Sequence, residues 1–394
     1  MSQDLDYILS PRCIRDGANK IFESTKNGKT HFTFHPEKLN PTVDFVMETI
    51  RENYPDLNIP FHSRWGHFKP GGVDRSKWLQ EKIQNLDKME QARVKWDLVI
   101  PSVLLDAGAG AAWKLHEKET GKDYNRSEGL GVASYHLFMS GAFSSDGKSL
   151  RSDSVGLQKL TAQTIEKYFQ VTATNPLVGV EGRTRLLNNL GKALENKKIF
   201  KDGRPGNLID YLVASHGTTI PAQALLRAVL DGLGPIWPGR ESVNGVNLGD
   251  VWKHSQLGLI AFHKLSQWMT YSLVEPLQDA GLTVTGVEGL TGLAEYRNGG
   301  LFIDSGLISF KNSADQQKAW GPESDLIIEW RGLTIHLLDI MGAEVQKKLN
   351  RSPADFPLAK VLEGGTWWAG RRIAKKHRPG GEPPLNIISD GTVF

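Results

Sequence analysis

The chain has 394 residues, 39% hydrophobic and 23% charged, with 47 basic against 44 acidic side chains and a formal net charge of +3. That composition excludes a mostly disordered chain, and the near balance of charge excludes the long-range positive field that holds a nucleic-acid polymer or an anionic membrane. One cysteine, Cys13, excludes a disulfide framework and a cysteine-based zinc cluster.

No apolar run approaches the roughly 20 residues needed to span a bilayer, and Met1 to Ser10 lacks the basic start and apolar core of a signal peptide, so a cytoplasmic protein is expected. Pro41 to Asn53 sets Val43, Val46, Met47 and Ile50 on one face and predicts a helix introduced by Asn40-Pro41. From Tyr54 to Gly72, turn formers surround aromatic, histidine and arginine residues, which reads as a functional loop. Within it His62, Arg64 and His67 have the chemistry to hold a phosphate or a carboxylate, with a simple packing loop as the competing reading. The histidines lack metal-ligand spacing and no HExxH motif occurs, so no metal and no redox cofactor are expected.

Ser76 to Leu98 predicts one charged amphipathic helix. The stretch Leu104 to Trp113, followed by Arg126 to Ser134, admits two readings. A strand over Leu98 to Leu105 ending in glycines would hand a dinucleotide or S-adenosylmethionine to a helix N-terminus. Pro101 inside that strand, and the lack of an acidic residue on a second strand about 20 residues on, argue against it. A wholly helical stretch, whose small residues permit close packing while Asp106 and Trp113 face a ligand, fits better.

Leu157 to Phe169, Arg183 to Leu194, Asn207 to Ser215 and Pro221 to Leu230 predict further helices, and Gly232 to Asp250 a loop. Leu257 to Leu277 reads as a buried helix that stops near Pro276. Leu326 to Arg331 fits a short strand or a helix entry, Thr334 to Leu349 a helix, and the tail from Arg378 an extended segment. Helical patterns dominate without a sustained strand–helix alternation, so the expected fold is mainly α with minor β. One large domain is expected: residues 1–100 as an N-terminal helical part with the His/Arg loop, 101–350 as a helical core carrying the site, and 351–394 as a C-terminal extension.

Two clusters carry chemistry. Lys264 and Gln267 share a helix face in an apolar segment, where a buried cation demands a phosphate or carboxylate partner unless the lysine snorkels to the surface. Glu295, Tyr296 and Arg297 set an acid, a phenol and a guanidinium before a glycine turn, where the acid and the arginine could simply pair. Together with Asp250 they offer a carboxylate for a developing oxocarbenium ion and donors for a phosphate.

At His62-Ser63-Arg64-Trp65, Leu104 to Gly110, Arg126-Ser127-Glu128-Gly129-Leu130, Asn175-Pro176-Leu177, Glu181-Gly182-Arg183, Phe262 to Trp268 and Glu295 to Gly300, the chain resembles the uracil catabolism protein 4 family of fungi and bacteria, over nearly its whole length. That resemblance implies a route in which pyrimidine is degraded at the nucleotide level through ribosylurea-type intermediates toward urea, alongside other enzymes of uracil catabolism. More distantly, the order of elements resembles the queuosine salvage proteins, nucleoside 5′-phosphate N-glycosidases with a helical fold related to DNA glycosylases. Their Phe-Arg-Asp motif falls on Leu248-Gly249-Asp250 and keeps only the acid, and their Phe-Tyr-Lys-Arg-Ala-Gln motif keeps Phe262, Lys264 and Gln267. Their Ala-Asp-Tyr-Arg motif falls on Ala294-Glu295-Tyr296-Arg297 with the acid one methylene longer, so a leaving group other than queuine is expected.

These resemblances imply an N-glycosidase-type hydrolase of a ribosylurea 5′-phosphate or a related pyrimidine-derived ribonucleotide. Asp250 and Glu295 would be catalytic. Lys264, Arg297 and His263 would hold the phosphate beside Tyr296. Asp106, Trp113, Arg126 and Glu128 would line the pocket for the ureido or base group, closed by His62, Arg64 and His67. A metal-independent amidohydrolase and a non-catalytic nucleotide-binding partner of the pathway are the alternatives.

Overall fold

The computed structural model describes residues 4–106, 108–110, 112–237 and 239–388. Ala107 and Ala111 of the glycine turn, Pro238 of the Trp237-Pro238-Gly239 turn, Met1 to Gln3 and the tail beyond residue 388 lie outside them. The described chain is mainly α with minor β, its strands forming two-stranded sheets. Among the described residues no helix is long and apolar enough to cross a membrane.

Two compact units share the chain, and their boundaries fall at 62/63, 238/239, 267/268 and 285/286. The first unit holds residues up to 62, 239–267 and 286–388. Its long Asp325–Leu349 helix packs on the Pro11–Lys26 helix, and the Tyr296–Asp304 helix packs on the Trp367–His377 helix. Sequence explains these starts: Ser10 accepts from the Cys13 N–H at 3.3 Å while Pro11 opens the first turn, where a missing N–H costs nothing. Gly370 lets the last pair of helices touch, because a Cβ there would lie 2.1 Å from the Arg297 carbonyl oxygen. One π-helical turn, Leu362–Thr366, precedes the Trp367–His377 helix, an irregularity often kept where side chains are re-aimed for function.

The second unit holds residues 63–237 and 268–285. Its core places the Lys88–Leu104 helix against the Arg126–Met139 helix. In the latter, Gly131 admits the loop at His67, whose carbonyl oxygen would lie 2.7 Å from an added Cβ. Close packing through small residues therefore holds for the Arg126 to Ser134 half of the glycine stretch.

Several expected elements are corrected. Leu98 to Leu104 is helix and Leu105 its C-cap, so no strand precedes Gly108, and residues 108–110 are loop rather than helix, followed by a hairpin of Leu115–Glu117 with Lys122–Tyr124. The single helix over Ser76 to Leu98 is two, Arg75–Ile83 and Lys88–Leu104, because Asp87 accepts from the Glu90 N–H at 2.9 Å and starts the second. Thr161 likewise splits Leu157 to Phe169 into Ser154–Gln158 and Ala162–Tyr168. The first part of Leu257 to Leu277 is strand, Gly258–Ala261 pairing with Val251–His254, and the helix runs Lys264–Asp279 with Pro276 inside it. Leu326 to Arg331 is the first part of the Asp325–Leu349 helix. The helices over Leu39–Asn53, Val180–Ala193, Leu208–His216 and Ala222–Leu233 stand where periodicity puts them, and Pro221 is the cap of the last.

Candidate active site

In the first unit, Asp250 ends the loop ahead of the Val251–His254 strand and meets Arg331 of the Asp325–Leu349 helix. Its Oδ1 accepts from Arg331 Nη1 at 2.8 Å and Trp252 Nε1 at 2.7 Å, and its Oδ2 from Arg331 Nη2 at 2.7 Å and the Lys264 N–H at 3.0 Å. Burial pushes the carboxyl up, but the charge and hydrogen bonds of Arg331 overcome it and hold Asp250 far below the usual carboxylate range. The side chain keeps 12% exposure. Asp250 is thus a fixed negative charge whose lone pairs are well occupied, suited to stabilising positive charge and poorly suited to abstracting a proton.

Lys264 and His263 follow directly. Lys264 is half-buried and opens its helix on the Asp250 carboxylate. His263 has a left-handed backbone, φ 46°, and its N–H donates to the Asp250 carbonyl at 3.2 Å. Its Nε2 lies 3.1 Å from the Ile8 carbonyl, which can only accept, so the ring proton belongs on Nε2. Burial pulls the imidazole below its ordinary pKa, against the Ile8 bond and the Asp250 charge. A neutral, enclosed ring does not suit His263 to the cationic phosphate-holding part expected of it.

Glu295 caps the Tyr296–Asp304 helix, its Oε1 accepting from the Asn298 N–H at 2.6 Å and its Oε2 from the Arg297 N–H at 2.8 Å. Arg297 turns away from Glu295: its guanidinium stacks over the half-buried Tyr296 ring at 4.9 Å and donates to the Gly381 carbonyl at 2.7 Å. Asn298 Oδ1 accepts from Thr366 Oγ1 at 2.8 Å in the π-helical turn. Three residues before Thr366, Glu363 accepts from Tyr54 Oη at 3.2 Å and lies 2.8 Å from His62 Nδ1. Burial and the nearby Glu363 raise the Tyr54 phenol. Trp330 Nε1 donates to the Gly299 carbonyl at 3.1 Å, so adjacent residues of one helix, Trp330 and Arg331, anchor the Glu295 turn and Asp250.

The second unit gathers Arg64, His67 and Asp106. Arg64 is fully buried; its guanidinium donates to Asp106 Oδ1 and to Ser102 Oγ at 2.7 Å, and lies 3.3 Å from His67 Nδ1. Burial lowers the Arg64 pKa and Asp106 opposes it, leaving a charged pair. Ser127 Oγ donates to Asp106 Oδ2 at 3.2 Å. Arg126 and Glu128 are half-buried at the start of the same helix as Ser127. Trp113 is fully buried, and its indole N–H is used by the Phe169 carbonyl at 2.8 Å. It serves as core, which leaves the ligand-facing part expected of it without an accessible edge.

Among the described residues, Glu117, Glu119 and His136 have ligand atoms within 4.8 Å of one another. Glu117 already forms a two-pronged pair with Arg75 and lies 2.7 Å from His136 Nε2, so a cation there would have to displace an arginine.

Arg331, Glu363, Asn298 and Thr366 were not singled out by sequence. The one readable signal was Glu329 inside the apolar run Leu326 to Trp330 and Arg331 directly after it, since charges in such a setting need internal partners. Glu329 has them in His31 Nδ1 at 2.8 Å and His254 Nε2 at 3.3 Å.

These features define a helical protein with short paired strands, whose polar side chains are gathered into buried charged networks in each unit. Residues 7–394 match the family model described as "Protein of unknown function (DUF1688)", and the chain belongs to that family. It is 39% identical to Uracil catabolism protein 4 of Lachancea kluyveri over 438 aligned positions that cover 99% of both chains. It is 40% identical to Protein urg3 of Schizosaccharomyces pombe over 403 positions that cover 98% of both. The resemblance to the uracil catabolism protein 4 family read from the motifs is borne out by these full-length matches.

Proposed function

We propose that the protein acts in uracil catabolism as an N-glycosidase-type hydrolase of a ribosylurea 5′-phosphate or a related pyrimidine-derived ribonucleotide. The name of the Lachancea kluyveri relative supports the metabolic setting. The observation that carries the chemistry is Asp250, an ionised carboxylate locked by Arg331 and still 12% exposed. A fixed negative charge of this kind favours an oxocarbenium-like transition state without reorganising as the charge develops.

In the reaction, the bond from C1′ to nitrogen breaks with its electron pair going to the leaving ureido nitrogen, and a water oxygen bonds to C1′. The proton lost by water ends on the leaving nitrogen. We assign its transfer to His62, whose ring Glu363 orients through Nδ1. Glu295, held by two backbone donors, serves as a ribose-hydroxyl ligand, and Lys264 with Arg297 attracts the phosphate. The products are urea or a ureido compound and ribose 5-phosphate.

The test is to offer the full chain synthetic ribosylurea 5′-phosphate, UMP, uridine and uracil and to assay reducing sugar and urea. Release of reducing sugar from a ribosylated substrate supports glycosidic cleavage. Ring opening without sugar release would replace it with an amidohydrolase, and binding without turnover with a partner protein.

A further inference from the structure

Three buried polar atoms one helical turn apart have no hydrogen-bond partner among the described residues: Oε1 and Nε2 of Gln267, and Nδ1 of His263. Gln267 is 0% exposed and His263 1%. The Gln267 N–H donates to the His263 carbonyl at 2.9 Å, so His263, in its left-handed backbone just ahead of the Lys264–Asp279 helix, stands one turn before Gln267. Leaving such groups unpaired in an interior is costly, and native interiors pair them with protein, water or ligand.

The donor and acceptor roles limit what can pair with them. A carboxamide presents one acceptor and one N–H₂ donor whichever way it is turned. With its proton on Nε2 facing the Ile8 carbonyl, His263 presents Nδ1 as a bare acceptor. The set is therefore two acceptors and one donor group, all uncharged. A phosphate, which only accepts at neutral pH, would face two acceptors. A cation would suit Gln267 Oε1 and His263 Nδ1 but would meet the Nε2 donor. A planar group with two N–H donors flanking a carbonyl satisfies all three.

From this juxtaposition we infer that Gln267 and His263 form the recognition subsite for a ureido group, with the ureido N–H donors directed to Gln267 Oε1 and His263 Nδ1 and its carbonyl accepting from Gln267 Nε2. An imide edge such as that of uracil has one N–H between two carbonyls and leaves one acceptor unmet. The subsite adjoins Asp250 through the His263 N–H, so it rests on the proposed hydrolysis only for its location beside the reacting bond.

Calorimetric titration of the full chain with ribosylurea 5′-phosphate, UMP and ribose 5-phosphate tests it. Ribosylurea 5′-phosphate should bind at least tenfold tighter than ribose 5-phosphate, and tighter than UMP. Gln267→Met should lose about tenfold in affinity for the ureido compound and none for ribose 5-phosphate, with Gln267→Glu as the isosteric variant if the first does not fold. Equal binding of ribosylurea 5′-phosphate and ribose 5-phosphate by the unaltered protein would overturn the inference, as would tighter binding of UMP. So would a folded Gln267→Met protein with unaltered ureido affinity, or with equal losses for both ligands. Ureido binding without sugar release defeats the hydrolysis and leaves this subsite standing. Sugar release that is indifferent to Gln267→Met does the reverse.

Discussion

Trp65 satisfies a carbonyl that Pro276 leaves without a partner. Proline has no N–H, so the carbonyl four residues earlier in its helix, that of Ser272, lacks its usual donor, and the Trp65 indole N–H occupies it at 2.8 Å. The same arrangement recurs at Pro101, where the Asp97 carbonyl accepts from Ser152 Oγ at 2.6 Å. Two helices thus keep an internal proline because a side chain distant in sequence replaces the lost hydrogen bond.

This compensation is measurable as a coupling. Ser152→Ala should destabilise the protein by about 1 kcal/mol, since Ser152 is fully buried and the Asp97 carbonyl would lose its donor. In a Pro101→Ala background the restored helical N–H takes that carbonyl, and the cost of Ser152→Ala should fall toward zero. Urea unfolding of the four proteins in the cycle gives the coupling. Equal costs in the two backgrounds would show that the hydroxyl does not stand in for the missing donor.

The Asp250 and Arg331 pair should behave as a unit. Arg331→Met leaves a buried carboxylate without its counter-charge, and Asp250→Asn leaves a buried guanidinium. Each should cost about 3–5 kcal/mol, and the double variant should cost clearly less than the sum. Additive losses in denaturant unfolding would mean that the two side chains act separately. The sign with pH follows from the depressed carboxyl. Its stabilisation is complete above the unfolded value of about 4 and is lost as pH falls below that toward the folded one, and Asp250→Asn should remove that part of the acid limb.

Much of the helical framework was legible because apolar spacing survives in a single sequence: Val43, Val46, Met47 and Ile50 mark their helix without ambiguity. The breaks at Asp87 and Thr161 were not, because a capping aspartate or threonine looks like any polar residue on a helix surface until its side chain is seen to accept a backbone N–H. Pro101 and Pro276 misled in the opposite direction, since their tolerance depends on Ser152 and Trp65. At the candidate site, Asp250, Lys264 and Glu295 stood out by type and neighbourhood. Arg331 and Glu363, which set the state of Asp250 and the orientation of His62, lie 81 and 301 residues from those partners. Pairings over such separations leave no local pattern.

Glu117 gives a second acid-sensitive contact, in the other unit. Its side chain is enclosed, and burial pushes its carboxyl up, but hydrogen bonds from Arg75, His136 and Thr120 outweigh that and bring it down to about 2. A folded value below the unfolded one means the pair stabilises the protein above about pH 4 and loses that contribution as pH falls toward 2, an effect on the order of 3 kcal/mol. Glu117→Gln should therefore lower stability at pH 7 and flatten its decline between pH 4 and 2. A decline as steep as that of the parent protein would place the acid sensitivity elsewhere.

If His62 carries the proton of the proposed hydrolysis, Glu363 is a positioning residue and its loss has a distinctive kinetic signature. Glu363 lies outside the groups assigned to substrate, so Glu363→Gln should leave KM for ribosylurea 5′-phosphate within about twofold. It should lower kcat on the order of 10²-fold, because an amide at Nδ1 can donate as well as accept and no longer enforces a single ring tautomer. The Tyr54 hydroxyl retains an acceptor in the amide oxygen, so the melting temperature should move by only a few degrees. The split between kcat and KM separates this from a general structural loss. A fall in kcat matched by a comparable rise in KM and a large drop in melting temperature would assign Glu363 to folding of the π-helical turn and leave His62 without a catalytic part.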